Sequence, residues 1–225
     1  MIKMNSTKEA ELIGMHTGDG TLYLTKYSVV WELRGGLDEK EYYLDRVKPL
    51  LESIFDVEIH PKFRSGGKNG CFGVQTCNKK IIKFFLTTGF KPGKKTHTVR
   101  IPKYILKANK KVKCAFIRGL FDTDGCLRFE RINNKKNHTY PKWEFTSASK
   151  LLRDDLFELL LELGFRPCIW GRKYYKLCLA GIPQLERFMV EIGPANVKHL
   201  NKYELWQLHG YVAPRSHSLA IAVDC

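Results

Sequence analysis

The stretch KCAFIRGLFDTDGCL, residues 113–127, decides how this chain is read, because an earlier stretch repeats its pattern. Residues 12–20 read LIGMHTGDG and residues 117–125 read IRGLFDTDG. Each has a glycine at its third position and an acidic-glycine ending, Asp19-Gly20 and Asp124-Gly125. The two aspartates stand 105 positions apart in 225 residues, so the chain reads as a tandem of two similar halves. Each half supplies one carboxylate. Gly14 and Gly18 are four apart and share a helix face, as do Gly119 and Thr123 in the second copy. Small residues there let two helices pack closely, which would set Asp19 and Asp124 side by side. Two adjacent carboxylates repel each other and favour a bound cation. Magnesium suits such oxygen ligands and keeps waters that can attack phosphorus. One copy alone would be read as a helix end with an acidic turn; two matched copies in a basic chain reverse that reading. Asp122 is acidic and near Asp124, but its counterpart Thr17 is not, so Asp122 is read as a packing or polar contact.

The similarity extends beyond the motifs. Ser6 with Glu9 offers helix-start chemistry before the first motif, and the second lies in a helical run over residues 110–122. Both helices are expected to end at Asp-Gly, with glycine taking the conformation that turns the chain. Extended, aromatic and β-branched sequence follows, at 21–33 in the first half and at 127–132 and 142–146 in the second, with a basic turn at 133–138. An amphipathic helix comes next in each half. Asp38 and Glu41 form a capping box ahead of Val47, Leu50, Leu51 and Ile54; Leu152, Leu156, Leu159, Leu160 and Leu163 form the second apolar face. Strands are expected at 57–63 and 71–76, then at 165–170 and 174–179. Closing helices near 79–88 and 183–192 end in Gly89 and Gly193, 104 apart. The organisation is therefore an N-terminal half (1–92), a lysine-rich, solvent-exposed linker (93–109), a C-terminal half (110–212) with a last helix at 199–208, and a tail (213–225).

A formal charge of +15 favours a polyanionic partner, nucleic acid above all. No apolar run approaches the roughly 20 residues that span a bilayer, and the N-terminus lacks a signal-peptide core. The expectation is a cytoplasmic protein with no membrane partner. The seven cysteines include no C-x-x-C pair and lie mostly among apolar residues, which argues for reduced core thiols rather than a zinc site. The strand segments mix long cations with aromatics and amides: Tyr23, Lys26, Arg34, Lys62, Arg64, Gln75, Arg128, Arg131, Lys142, Arg172, Lys173 and Lys176. A concave sheet lined in this way suits DNA, with phosphate contacts for position and Arg or Gln contacts for bases.

These motifs resemble the LAGLIDADG homing endonucleases in their single-chain, two-motif, archaeal-type form. The similarity covers about residues 8–210 and includes IGPANVKHLNKY, residues 192–203. The resemblance implies an α+β fold of two pseudo-symmetric αββαββα halves, whose antiparallel sheets form a saddle over DNA. It implies Mg2+-dependent cleavage of both strands, with Mn2+ able to substitute, at a long pseudo-palindromic target. By position, Asp19 and Asp124 match the metal-binding acids, and Gly18 and Thr123 match residues whose backbone carbonyls assist. Family members often place a lysine near the active site at a strand end. The nearest positions are Arg34 and Ser147; arginine keeps the charge but does not lose a proton, and Lys142 or Lys176 are alternatives. The catalytic set read from the sequence is thus Asp19, Asp124, Arg34 and Lys142. His16 and Thr17 depart from the usual first motif without touching the acid. Both halves being in one chain, a monomer is expected. The same surface would also suit intron RNA, so the alternative is an RNA maturase or a DNA-binding regulator without cleavage. An intein-borne form would need splicing blocks that the C-terminal residues do not supply.

Overall fold

The computed structural model describes residues 6–65, 70–132, 136–170 and 175–212. Two helices form its spine: α1 (Thr7–Thr17) and α6 (Lys110–Asp124) pack against each other along their length. Ser6 caps α1 through Glu9 N–H, and Asn109 caps α6 through Val112 N–H, so the polar residue ahead of each apolar run fixes the start. Glycine makes the crossing close. A methyl on Gly14 would fall on the carbonyl oxygen of Phe116, and one on Gly119 on that of Glu11.

Each half hangs a four-stranded antiparallel sheet on this spine. The first joins β1 (Thr21–Leu24), β2 (Val29–Gly35), β3 (Lys62–Arg64) and β4 (Cys71–Thr76) in the order β1-β2-β4-β3. The second joins β5 (Gly125–Glu130), β6 (Tyr140–Ser147), β7 (Cys168–Trp170) and β8 (Tyr175–Ala180) in the order β5-β6-β8-β7. Between the strands of the first half, the short helix α2 (Lys40–Tyr42) runs through a π-helical turn at Tyr43–Val47 into α3 (Lys48–Phe55), and α4 (Lys79–Thr87) closes the half. In the second half α7 (Lys150–Glu162) and α8 (Ile182–Glu191) hold the corresponding places, and α9 (Val197–His209) follows. The expected α+β class and the repeated order of elements are both present.

Strand alternation sends Trp31, Leu33, Phe72 and Val74 into one core and Leu127, Phe129, Trp143, Phe145, Leu177 and Leu179 into the other. The cores meet at α1, whose Leu12 and Met15 face the first and Ala10 and Ile13 the second.

Four expectations change. Neither motif glycine is left-handed: Gly125 is extended (φ −86°, ψ 161°), and Gly20 has no positive φ. They are glycine because space is short, a methyl on Gly20 meeting His16 and one on Gly125 meeting Phe121. The helix after β2 starts earlier than the Asp38–Glu41 box predicts; Glu39 accepts from Gly36 N–H at 2.9 Å and starts a 3-10 turn at Leu37. The strands at 57–63 and 165–170 shrink to three residues each, since only these edge positions reach β4 and β8. The linker is not merely solvated. Ile101 and Ile105 are fully buried, the latter in α5 (Lys103–Leu106), and Arg100 grips Asp155 with two hydrogen bonds. Among the described residues no helix is long and apolar enough to cross a membrane, and the described cysteines are unpaired thiols.

Candidate active site and nucleic-acid interface

Where α1 and α6 end, Asp19 and Asp124 stand side by side at the mouth of one cavity. A methyl on the intervening Gly18 would strike the Thr123 hydroxyl, so the small residue sets how near the two ends lie. Burial raises both carboxyls above the usual carboxylate range. The second cause is Glu39 for Asp19 and the Asp19 charge for Asp124. The pair therefore shares a proton or calls for a cation. The acids line a cavity of about 430 Å3 together with Gly18, Lys95, Thr146 and Ser147.

Two lysines flank the acids, and the sequence reading missed both as site residues. Lys95, from the linker, donates to the carbonyls of Thr17 (2.8 Å) and Gly18 (2.5 Å) at the end of α1. Burial lowers its pKa, while Asp124 and Asp19 oppose that shift. It is thus a cation able to release a proton, which an arginine is not. Lys198, at the start of α9, bonds Glu39 Oε1 at 2.6 Å and acts electrostatically on both acids. A legible signal existed. Lys95 follows Gly89 and Lys198 follows Gly193, and the two lysines are 103 positions apart, close to the 105 of the aspartates. Lys95 falls in the segment expected as linker, and Lys198 just ahead of the last helix expected in the C-terminal half.

Arg34 and Lys142, the cations chosen from the sequence, are engaged elsewhere. Arg34 Nε pairs with Glu32 at 2.9 Å, and Lys142 Nζ with Glu130 at 2.5 Å. Lys142 lies three residues along β6 from Phe145, the partner of Gly125, or about 10 Å away. Strand direction, invisible in the spacing, carries it outward. Ser147 lines the acid cavity but accepts from Ser149 N–H at 3.0 Å. The Thr123 hydroxyl bonds back to the carbonyls of Gly119 and Leu120. The Gly18 carbonyl, expected to assist a metal, is the one Lys95 holds.

Asp122 is completely buried, and its carboxylate accepts from the N–H groups of Ala195 and Asn196. Asn196 in turn caps α9 and donates to Glu39 Oε1 at 2.7 Å. Asp122 thus anchors the loop that presents Lys198, a polar contact near the helix end as read from its unmatched counterpart. His16 sits in the core: its Nδ1 accepts from Trp31 Nε1 at 3.1 Å, and its ring lies against Phe85 and Phe90.

Of the residues assigned to DNA, Tyr23, Arg34, Lys62, Arg64 and Gln75 lie on the first sheet and Arg128, Lys142 and Lys176 on the second, on the strand sides away from the cores. Lys26 is at the exposed β1–β2 turn with its ammonium 5.5 Å from the Tyr27 ring centre, and Arg131 is exposed just past β5. Arg172 and Lys173 fall outside the described residues.

Residues 111–193 match the family model of the LAGLIDADG-like domain. The fold matches the homing endonuclease I-DmoI in complex with DNA and Mn at 18% identity, covering 83% of this chain and 96% of that one, with a TM-score of 0.57. It matches the homing endonuclease I-WcaI bound to its DNA recognition sequence at 14% identity, covering 91% and 88%, with a TM-score of 0.59. Among curated proteins, a replication factor C small subunit of Methanocaldococcus jannaschii is 27% identical over 201 residues, 86% of this chain. The chain spans only 8 to 15% of the length of the first three such relatives, whose names share no activity. The chain therefore carries a LAGLIDADG-like domain in its second half and has the two-sheet fold of the LAGLIDADG homing endonucleases.

Proposed function

We propose that this chain is a site-specific DNA endonuclease that makes metal-dependent double-strand breaks at a long, pseudo-palindromic target. The observation that carries this reading is the placing of Asp19 and Asp124, one from each half, in one cavity at the foot of two glycine-packed helices. Two carboxylates at a pseudo-twofold axis can serve two strands of a duplex symmetrically. The DNA complexes of I-DmoI, which has a like fold, with Mn, with Ca and in the presence of Mg support the same reading.

The donor set fits a hard divalent cation. Among the described residues no group of three or more His, Cys, Asp or Glu could hold a metal. Two aspartates that already crowd each other, with backbone carbonyls and water beside them, suit Mg2+ or Mn2+ rather than a softer ion. When bound, such an ion stabilises charge at the phosphate and activates water. Asp19 and Asp124 would hold it, with the Thr123 carbonyl, and the Gly18 carbonyl once released by Lys95, as supplementary oxygens. Lys95 and Lys198 would stabilise negative charge growing on the scissile phosphates, and Lys95 is suited to move a proton there. The two basic sheets would hold the duplex in register. Since both halves are in one chain, we take the active form to be a monomer. Binding of intron RNA by the same surface is the second reading, and retention of both acids favours cleavage over it.

The test is an in vitro selection from a randomised duplex library with magnesium, using the wild type, Asp19→Asn and Asp124→Asn. Discrete double-strand cuts at one long site, lost in both variants, are expected. A wild type that retains a defined sequence but never cuts it, with magnesium or manganese, would overturn cleavage in favour of a binding or maturase role.

A further inference from the structure

Each open sheet face carries a carboxylate among its cations, at the same place in both halves. Glu32 stands opposite Thr21 in the β1–β2 register, and Glu144 opposite Cys126 in the β5–β6 register. Thr21 and Cys126 each lie two residues past a motif aspartate, so the two glutamates are pseudo-symmetry mates. Their strand neighbours Trp31 and Leu33, and Trp143 and Phe145, are buried, which turns both glutamates toward the open face.

Their cationic partners are not mates. Glu32 Oε1 lies 2.9 Å from Arg34 Nε, and its Oε2 accepts from the Tyr23 hydroxyl at 3.3 Å and lies 3.7 Å from Arg64 Nη1. Glu144 Oε2 accepts from Arg128 Nη1 at 2.6 Å, and its Oε1 lies 3.6 Å from Lys176 Nζ. Arg34 is on the same strand as its acid, whereas Arg128 and Lys176 reach Glu144 from the strands on either side. The acid is the repeated element; the cations around it vary.

An acid on a face that meets a polyanion weakens binding, so affinity does not explain it. A guanidinium fixed by a carboxylate is another matter. It loses less rotamer freedom on binding, and its remaining N–H groups point in a set direction. The Glu144 side chain is only 7% exposed while that of Arg128 is 46% exposed, and beside Glu32, at 21%, Arg34 is 16% and Arg64 53% exposed, so Arg128 and Arg64 are the guanidiniums that can reach a partner.

We propose that Glu32 and Glu144 are positioning residues for base discrimination: they hold Arg64 and Arg128 in the orientation that meets a guanine edge and keep them from the nearest phosphate. This rests on the reading of the chain as a sequence-specific DNA-binding protein.

The test is a binding selection from a duplex library in calcium, with wild type, Glu32→Gln, Glu144→Gln, Arg128→Ala and Glu144→Gln/Arg128→Ala, followed by affinities at two salt concentrations. A wild type that selects a target, with preference at one base pair falling from roughly ten-fold or more to near parity in each Gln variant, supports the inference. Non-specific binding should tighten, and its salt slope steepen by about one, as the freed arginine meets a phosphate. Arg128→Ala should erase the same preference as Glu144→Gln, with no further loss in the double variant. Unchanged preferences in the Gln variants, with wild-type selection intact, overturn this inference alone; a wild type that selects nothing overturns the DNA reading with it. If a Gln variant fails to fold, an Arg128→Ala profile unchanged at every base pair is the overturning result.

Discussion

At the scale of single residues, the acids and lysines do different work and should fail differently. Lys95→Met removes the buried cation beside the acids without touching the sheets. We expect cleavage to fall about a hundred-fold or more with target affinity nearly unchanged, measured as single-turnover rates and Kd on the selected target. An equal loss in affinity would make Lys95 a phosphate anchor instead. Buried histidines set a pH dependence of stability. Burial holds His16 and His199 well below the ordinary imidazole pKa of about 6.5. His199 Nε2 faces the Phe121 carbonyl, and its Nδ1 has no partner among the described residues, so a second proton would put an uncompensated charge in the core. The unfolded chain takes up those protons below about pH 6.5 and the folded chain does not, so stability is present above that pH and lost as pH falls. Each histidine should contribute a slope of about 1.4 kcal/mol per pH unit in that range. Because the raised carboxyls of Asp19, Asp122 and Asp124 pull the opposite way in the same range, the contribution is read as a difference: chemical denaturation of wild type and His199→Gln between pH 7 and 5 should show the variant gaining relative to wild type as pH falls.

At the scale of elements, the α1–α6 crossing is the joint on which the site depends. Gly14→Ala and Gly119→Ala would each drive a methyl into a backbone carbonyl of the other helix, which cannot rotate away. Overpacking of this kind costs about 1–3 kcal/mol, and here the upper end is expected because backbone must move. Thermal melting reads the loss, and the same shift should separate Asp19 from Asp124 and lower cleavage beyond what stability explains. Much of this level was legible in the sequence. The Gly14/Gly18 and Gly119/Thr123 spacing pointed to the close face, the apolar periods located α3 and α7, and the terminal glycines Gly89 and Gly193 marked the ends of α4 and α8. The short strands β3 and β7 were not, because their length is set by how far β4 and β8 offer partners, not by their own residues.

At the scale of the whole molecule, one ion cluster ties the halves together. Glu11 of α1 is buried and bonds Arg46 Nε at 2.7 Å and Arg118 Nη1 at 3.2 Å, and Arg118 also holds the carbonyls of Ile192 and Gly193. Glu11→Ala would leave both arginines without their acid. A loss of about 2–4 kcal/mol is expected in denaturant unfolding, less than for a wholly buried cluster because both arginines keep contact with water. A monomeric enzyme further requires that cleavage rise linearly with protein concentration; a squared dependence, with a dimer in sedimentation, would refute it.

The sequence by itself determined the repeat, the two aspartates, the α+β order of elements and the basic character of the strands. Each of these is written in local pattern: residue type, period and spacing. Tertiary structure alone decided which cations stand beside the acids. Lys95 and Lys198 reach the site from segments that read as the linker and the approach to the last helix, and Lys142 leaves it along a strand whose direction the spacing does not reveal. It also decided that the motif glycines serve close approach rather than a left-handed turn, because what crowds them is a neighbouring side chain or the other motif's Thr123. The glutamates at the centre of each sheet became visible for the same reason. Their role depends on what lies across the strands, and cross-strand neighbours are fixed by register, not by proximity in sequence.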